Sequence, residues 1–250
     1  MTHAGALLAS PGTVFFVVNL DSARFPQRPL VLLLHGAFEK HKKLLPWAGL
    51  WAESYDAALA DLPGHGQSGS LAPVTFAAYV EELRWLLTNP LAQRGVIIVG
   101  DSFGGLLGIA LGNAPPANLR GVIALDPLLS TAQQWSLLDL MPRVLEGQPA
   151  DGFRRLFAAN IMGMGGETPE DRRHHPVVEG ARVPVLVLAG AEALGERRAV
   201  AAPSLLSEAD RAFLRQHVKL GIIPDVGHQL VTQRPQETFA AAKAFADTLA

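Results

Sequence analysis

Short apolar runs alternate with stretches of helical spacing along most of the chain, and this alternation restricts the possible folds more than any other feature. Residues 30–34 form a continuous apolar run, which is typical of a strand covered on both faces. The predicted strands span residues 13–20, 30–34, 57–62, 95–99, 121–125, 183–188 and 218–223. The predicted helices between them span residues 76–87, 104–111 and 238–249. Strands that alternate with helices predict an α/β fold with a doubly wound, mostly parallel sheet.

One long segment lacks any strand candidate. Residues 128–182 contain helical patterns at 131–145 and 152–161, together with three of the four methionines. A connection of this length inside an α/β domain favours an inserted helical lid over the carboxyl edge of the sheet, where such folds place their sites. The alternative is an ordinary pair of helices with a loop. We therefore predict a core of residues 1–127 and 183–250 with a small helical lid at 128–182.

The composition narrows the possible partners. Of the 250 residues, 49% are hydrophobic and 18% are charged, which is typical of a globular protein with a large core. The formal net charge of −2 argues against nucleic acid or an anionic membrane as the main partner. The absence of cysteine excludes a disulfide scaffold, a cysteine nucleophile and thiolate metal sites. Because the N-terminus lacks the pattern of a secretion signal, we expect a cytoplasmic protein.

The strongest chemical signal is the segment GDSFGG at residues 100–105. It directly follows a predicted strand and directly precedes a predicted helix, which is the context that a G-x-S-x-G nucleophile motif requires. On such a turn the serine has a strained backbone with its hydroxyl exposed, and the glycines let strand and helix approach closely. We predict that Ser102 is a nucleophile; the alternative is a plain glycine-rich turn.

A histidine near the end of the chain supplies the base that such a serine needs. A serine hydroxyl is a poor nucleophile at neutral pH and requires an imidazole within hydrogen-bond reach. His228 follows the last predicted strand, so the serine stands near the middle of the chain and the histidine near its end. We predict that His228 is the general base; the alternative is a histidine that caps a helix.

Two further segments make the sequence similar to the α/β-hydrolase family, and to its serine esterase and lipase branch, over nearly the whole chain. They are HGAF at residues 35–38 and DLPGHGQS at residues 61–68. The resemblance implies an oxyanion hole formed by the backbone N–H groups of Ala37 and Phe103. It also implies structural rather than catalytic roles for the histidines of both segments.

The third member of a serine triad departs from the usual pattern of the family. The resemblance implies an acid three residues beyond the glycine that ends the strand before the last, but that residue is Ala193. Glu192 stands one residue earlier, and Asp126 ends the preceding strand, a position that some members of the family use. We favour Asp126, because a shorter acid at a strand tip holds an imidazole more rigidly. Glu192 is the alternative, and an aspartate before proline also commonly begins a turn.

Charged residues around these motifs allow two interpretations each. Asp101 precedes the nucleophile by one residue, so we expect it to be a local loop acceptor or a charge that modulates His228. The basic runs at residues 40–43 and 172–175 either attract an anionic substrate or form solvated faces. The adjacent histidines at 174–175 lack the spacing of a metal site.

Together these residues predict a cofactor-free serine hydrolase with a small-molecule substrate. Ser102 would attack the carbonyl of a small to medium carboxylic ester, a thioester or a lactone, and water would release the acyl-enzyme. The same framework also serves acyltransferases, cofactor-free lyases and carbon–carbon hydrolases. Two non-enzymatic alternatives are a ligand-binding receptor that retains the triad and a partner-binding protein with a dead site.

Overall fold

A sheet of eight strands forms the centre of the part of the chain that the structure describes. The computed structural model describes residues 5–18, 28–131, 134–149, 152–166, 168–195 and 203–249. The strands are β1 (Gly5–Ala9), β2 (Val14–Val18), β3 (Leu30–Leu34), β4 (Asp56–Asp61), β5 (Val96–Asp101), β6 (Leu119–Leu125), β7 (Val185–Gly190) and β8 (Lys219–Ile223). Their spatial order is β1-β2-β4-β3-β5-β6-β7-β8. Strands β3 to β8 are parallel to one another, while β1 pairs antiparallel with β2 and β2 pairs antiparallel with β4. The predicted mostly parallel sheet is confirmed.

Helices cover both faces of this sheet. They are α1 (Leu45–Trp51), α2 (Phe76–Thr88), α3 (Phe103–Leu111), α4 (Trp135–Leu145), α5 (Phe153–Asn160), α6 (His175–Glu179), α7 (Glu208–His217), α8 (Leu230–Gln233) and α9 (Pro235–Ala246). On one face α3 packs against β5 and β6 with α2 beside it, and on the other α1 and α9 pack against the sheet. The central strands are therefore buried on both sides. Among the described residues, no helix combines the length and apolar character that crossing a membrane requires.

The seven predicted strands are present with small shifts at their ends, but some elements are missing from the prediction. The first predicted strand corresponds to β2, and Asn19 and Leu20 at its end lie outside the described residues. The elements that were not predicted include β1, which is mostly exposed, and α7, which is largely polar. Helix α1 was not predicted either. The last helix begins at Pro235 rather than at residue 238, because proline suits the first helical turn, whose N–H groups have no partner within the helix.

The segment between β6 and β7 is helical, as predicted. Helices α4, α5 and α6 occupy the described part of residues 128–182, which contains no strand. Helix α4 begins at Trp135, later than predicted, and residues 132–133 of the predicted helix lie outside the described part. Phe157 and Met162 from this segment are buried in the same apolar layer as α3. The lid and the division of the chain into core and insertion stay predictions.

Candidate active site

Ser102 occupies a sharp turn between a strand and a helix. β5 ends at Asp101 and α3 begins at Phe103, so Ser102 is the single residue between them. Its φ of 52° and ψ of −112° are values that residues with a side chain rarely adopt. The backbone N–H of Ser102 donates to the carbonyl of Leu125, at the end of β6, over 2.7 Å. The neighbouring strand therefore helps to hold the strained turn.

Two glycines permit the close approach of backbone at this turn. A Cβ on Gly100 would lie 2.3 Å from the carbonyl carbon of Gly104. A Cβ on Gly104 would lie 2.7 Å from the carbonyl oxygens of Leu34 and His35. Neither position admits a methyl group, because the obstacles are backbone atoms that cannot rotate away. Helix α3 can thus begin directly above the ends of β3 and β5.

His228 reaches the same edge of the sheet from the loop after β8. Its Nδ1 lies 2.7 Å from Oδ2 of Asp126, at the end of β6. An ionised carboxylate only accepts hydrogen bonds, so Nδ1 carries the proton and Nε2 keeps its lone pair. This is the tautomer that a general base requires.

The carboxylate of Asp126 is fully buried and receives three donors. In addition to the imidazole of His228, it accepts the N–H of Leu205 at 2.7 Å and the hydroxyl of Ser204. The backbone N–H of Asp126 donates to the carbonyl of Leu188, on β7, at 2.7 Å. Both carboxylate oxygens and the backbone are therefore held, which fixes the direction in which the acid meets the imidazole.

Glu192, the alternative acid, has a different environment. Its side chain is exposed. Its backbone N–H donates to the carbonyl of Val226 at 3.2 Å, and its carbonyl accepts the N–H of Ser204 at 2.7 Å. The structure brings Asp126 to the Nδ1 of His228, and the role of Asp126 as the triad acid stays a prediction.

Burial and charge act in opposite directions on the pKa of His228. Burial lowers the pKa, but the hydrogen bond to Asp126 and the charges of Asp126 and Asp101 raise it, while Lys43 lowers it. The net result is a pKa above the ordinary value of 6.5. The site therefore favours the imidazolium that forms when His228 accepts a proton.

The loop after β3 is held at two of its backbone N–H groups. Gly36 donates to Oε2 of Glu39 at 3.2 Å, and Phe38 donates to Nε2 of His65 at 3.1 Å. The N–H of Ala37, between them, has no partner among the described residues and lies at the cavity that Ser102 lines. The N–H groups of Gly36 and Phe38 thus already have acceptors, which leaves the N–H of Ala37 as the donor available in this loop.

A second unpaired donor comes from helix α3. Phe103 is its first residue, and the N–H groups of a first helical turn have no partner within the helix.

The loop after β3 is anchored by His35. Its Nε2 accepts the N–H of Leu62 at 2.9 Å, and its Nδ1–H donates to the carbonyl of Gly36 at 2.7 Å. His35 therefore ties the end of β3 to the end of β4, which is the structural role that the resemblance implies.

A cavity of about 260 Å³ opens above Ser102 and His228. Both residues line it, and Ala37 lies at its wall. Most of the remaining wall is apolar and consists of Phe38, Leu128, Leu137, Leu140, Met162, Pro203 and Leu205. The polar side chains in the wall are those of Glu39, Ser136 and Gln229. Ser102 and His228 therefore share one small, mainly apolar space.

The basic runs that flank the motifs are largely paired within the protein. Nζ of Lys43 lies 2.7 Å from Oε1 of Glu39 and 2.7 Å from Oδ2 of Asp101. His41 is buried and bonds to Asp61 at 3.0 Å, so the first run is not simply a solvated face. The pairs in the second run are Arg172–Glu170, Arg173–Asp171 and His175–Asp210. Within the described residues, neither run contributes a cation to the cavity wall.

Three residues of the site were not predicted from the sequence. Ser204 contacts Asp126 from 78 positions away, and no local motif surrounds it. Leu205 contacts Asp126 through its backbone N–H, which carries no sequence signal. Glu39 stands two residues after Ala37, and this proximity to the loop is the one signal that could have indicated it.

The fold and the turn at Ser102 define the class of protein, and sequence comparison agrees with them. A profile of the α/β hydrolase family matches residues 31–242, and the chain belongs to this family. A similar curated protein is Lipase LipV of Mycobacterium tuberculosis (strain ATCC 25618 / H37Rv). It is 34% identical over 116 residues, which cover 46% of this chain and 44% of the lipase. The match thus spans less than half of that relative.

Solved structures with the same fold cover almost the whole chain. E-2-(acetamidomethylene)succinate hydrolase is 19% identical with a TM-score of 0.75, over 98% of this chain and 99% of that one. The enol-lactonase from Burkholderia xenovorans LB400 is 19% identical with a TM-score of 0.72, over 97% and 100%. Naproxen esterase from Bacillus subtilis is 17% identical with a TM-score of 0.71, over 98% and 91%. At these identities the likeness concerns the fold alone.

Proposed function

We propose that the protein is a serine hydrolase that cleaves a small to medium carboxylic ester through an acyl-enzyme on Ser102. One observation carries this proposal. Ser102 and His228 line a single cavity, and Oδ2 of Asp126 lies 2.7 Å from Nδ1 of the His228 imidazole. An activated serine with an oriented imidazole is the arrangement that acyl transfer needs.

The first half of the reaction forms the acyl-enzyme. Nε2 of His228 takes the hydroxyl proton as Oγ of Ser102 attacks the carbonyl carbon, and the carbonyl electron pair moves to oxygen. The N–H groups of Ala37 and Phe103 hold this oxyanion, and Asp126 stabilises the imidazolium. The bond to the alcohol oxygen then breaks, and the imidazolium returns its proton to the departing alkoxide.

The second half releases the acid. A water molecule loses a proton to Nε2 of His228 and attacks the acyl carbon, and the same two N–H groups hold the second oxyanion. The bond to Oγ of Ser102 breaks, and the imidazolium protonates that oxygen. Every proton transfer uses His228, and the proposed steps require no cofactor.

The cavity wall supports an apolar substrate of modest size. Leu137 and Leu140 on α4, and Met162 after α5, line the cavity above Ser102, so the predicted lid would contact the substrate. Each methylene group of a substrate that is buried against such walls contributes about 0.8 kcal/mol to binding. Thioesters and lactones present the same carbonyl chemistry and are the close alternatives.

We propose a cytoplasmic setting on the sequence argument alone.

A covalent probe tests the nucleophile directly. We expect a fluorophosphonate to label the protein, the adduct to map to Ser102, and labelling to be lost in Ser102→Ala and strongly slowed in His228→Ala. Ser136→Ala is the matched control, because Ser136 lines the same cavity and the proposal gives it no role in the chemistry. Failure of Ser102 to label in a folded protein would overturn the proposal.

Product analysis tests the type of reaction. Chromogenic esters of increasing acyl length, assayed in water and with an added acceptor alcohol, distinguish a hydrolase from an acyltransferase. We expect free acid as the main product and the fastest turnover with short to medium acyl chains. Transesterification in preference to hydrolysis would indicate an acyltransferase. Labelling of Ser102 with very slow turnover and a tightly retained ligand would indicate a receptor.

A further inference from the structure

A partly buried lysine joins two segments of the site. Nζ of Lys43 lies 2.7 Å from Oδ2 of Asp101 and 2.7 Å from Oε1 of Glu39. The side chain of Lys43 is 16% exposed and that of Asp101 only 2%. A lysine is rarely buried to this extent unless it is paired, so the ion pairs with both carboxylates stabilise Lys43 in this position.

The two carboxylates belong to the segments that carry the proposed oxyanion donors. Asp101 ends β5 and directly precedes Ser102. The second oxygen of Glu39 accepts the N–H of Gly36 at 3.2 Å, at the start of the loop that contains Ala37. Lys43 therefore connects the loop after β3 to the turn of the nucleophile. These segments approach closely, since a Cβ on Gly36 would lie 3.3 Å from Cβ of Ser102.

The charges of Lys43, Asp101 and Glu39 also affect the electrostatic environment of His228. The charged groups that act on this imidazole are Asp126 after β6, Asp101 at the end of β5, and Lys43, while Glu39 lines the same cavity. Burial lowers the pKa of Lys43, but the two carboxylates raise it further, and the net pKa lies above its ordinary value. Lys43 is therefore charged at neutral pH and offsets one of the carboxylates that it contacts.

We propose that Lys43 is a positioning residue for the reaction, which holds the oxyanion loop against the nucleophile turn and limits the negative charge that acts on His228. This inference rests on the proposed function, because it assigns Lys43 a role in the acyl transfer at Ser102. Among the described residues that line the cavity Lys43 is absent, and it acts through Asp101 and Glu39.

The test measures a pH profile, which a purely structural role would not move. We expect Lys43→Met to shift the acid limb of the rate of fluorophosphonate labelling at Ser102 to higher pH by about one unit, because an opposing charge is lost. At a pH on that limb labelling becomes about tenfold slower. Lys43→Arg keeps the charge and should restore the limb. Lys42→Met removes an exposed neighbouring cation and is the matched control.

A second variant works even if Lys43→Met folds poorly. Asp101→Asn keeps an acceptor for Lys43 and removes a negative charge, so we expect the acid limb to move to lower pH. The double variant Lys43→Met with Asp101→Asn should return toward the wild-type profile. If the acid limb of the labelling rate stays at the wild-type pH in the folded single variants, the inference is wrong.

A direct titration separates this inference from the proposed function. The pKa of the His228 imidazole can be followed by NMR in the same variants, with His228→Gln used to assign the signal. Opposite shifts in Lys43→Met and Asp101→Asn would support the electrostatic role even in a protein whose Ser102 does not label. Absence of labelling in the wild type would instead overturn the proposed function.

Discussion

The Nδ1–H of His228 donates to the carboxylate of Asp126 over 2.7 Å, although the two residues stand 102 positions apart in the chain. Asp126 directly follows a central strand, and His228 follows the last strand of the same sheet, two strands away. The sheet therefore brings together an acid and an imidazole that no local motif connects. Four predictions concern this arrangement and the packing around it.

The first prediction concerns the choice of acid. Asp126→Asn replaces an acceptor by an amide that favours the wrong imidazole tautomer, so we expect kcat to fall on the order of a thousandfold or more. Glu192→Gln is the control, because the exposed Glu192 side chain should leave kcat nearly unchanged. Steady-state kinetics on a chromogenic ester checks both. Near-full activity in Asp126→Asn would show that another group orients His228.

The second prediction concerns the residue that holds the acid. Ser204 is fully buried and donates its hydroxyl to Asp126, so Ser204→Ala leaves one carboxylate oxygen without this partner. We expect kcat to fall about tenfold, in line with the loss of one hydrogen bond to a charged group. Ser204→Thr should recover part of the activity. Ser207→Ala removes the N-cap of α7 and should reduce stability without this loss of kcat.

The third prediction concerns the glycine beneath the nucleophile turn. A Cβ at Gly100 would meet backbone at 2.3 Å, so Gly100→Ala should lower the free energy of unfolding by about 3 kcal/mol or more. Gly49, in α1, is exposed, and apart from its chain neighbours and the backbone of its own helix, a methyl group added there would meet no atom of the described residues within 4 Å. Gly49→Ala should stabilise the protein by about 1 kcal/mol. Urea denaturation of both variants compares the two, and equal effects would contradict the steric argument.

The fourth prediction concerns stability at acid pH. Burial lowers the pKa of His65 to about 4, and the unfolded chain titrates near 6.5. Between these values the unfolded state binds a proton that the folded state does not, so the free energy of unfolding decreases as pH falls. The contribution of His65 between pH 7 and pH 5 is on the order of 2 kcal/mol.

His65→Gln tests this contribution, because glutamine can accept the N–H of Phe38 but does not titrate. Urea denaturation at pH 7 and pH 5 should give a smaller loss of stability for the variant than for the wild type. His35, whose pKa burial also lowers, remains in both proteins and accounts for part of the residual slope. An identical slope in the variant would exclude His65 as a source of acid sensitivity.

Local patterns predicted the central elements of the fold, and they failed where the pattern was weak. The buried strands β3, β5 and β7 are continuous apolar runs, so period and composition indicate them directly. β1 is mostly exposed, and α7 is largely polar with few apolar residues, so neither contains the apolar run by which the central elements were predicted. The N-terminal pairing of β1 with β2 depends on contacts between two strands, which periodicity along one strand does not report.

The sequence by itself determined the class of fold, the turn that carries Ser102, and the position of His228 after the last strand. These features depend on local sterics and on element order, and both can be read along the chain. Only the tertiary structure decided that Asp126 rather than Glu192 meets the imidazole, that Ser204 holds this acid, and that Lys43 lies between Glu39 and Asp101. Such contacts join residues far apart in the chain, and their distances depend on how strands and loops pack together.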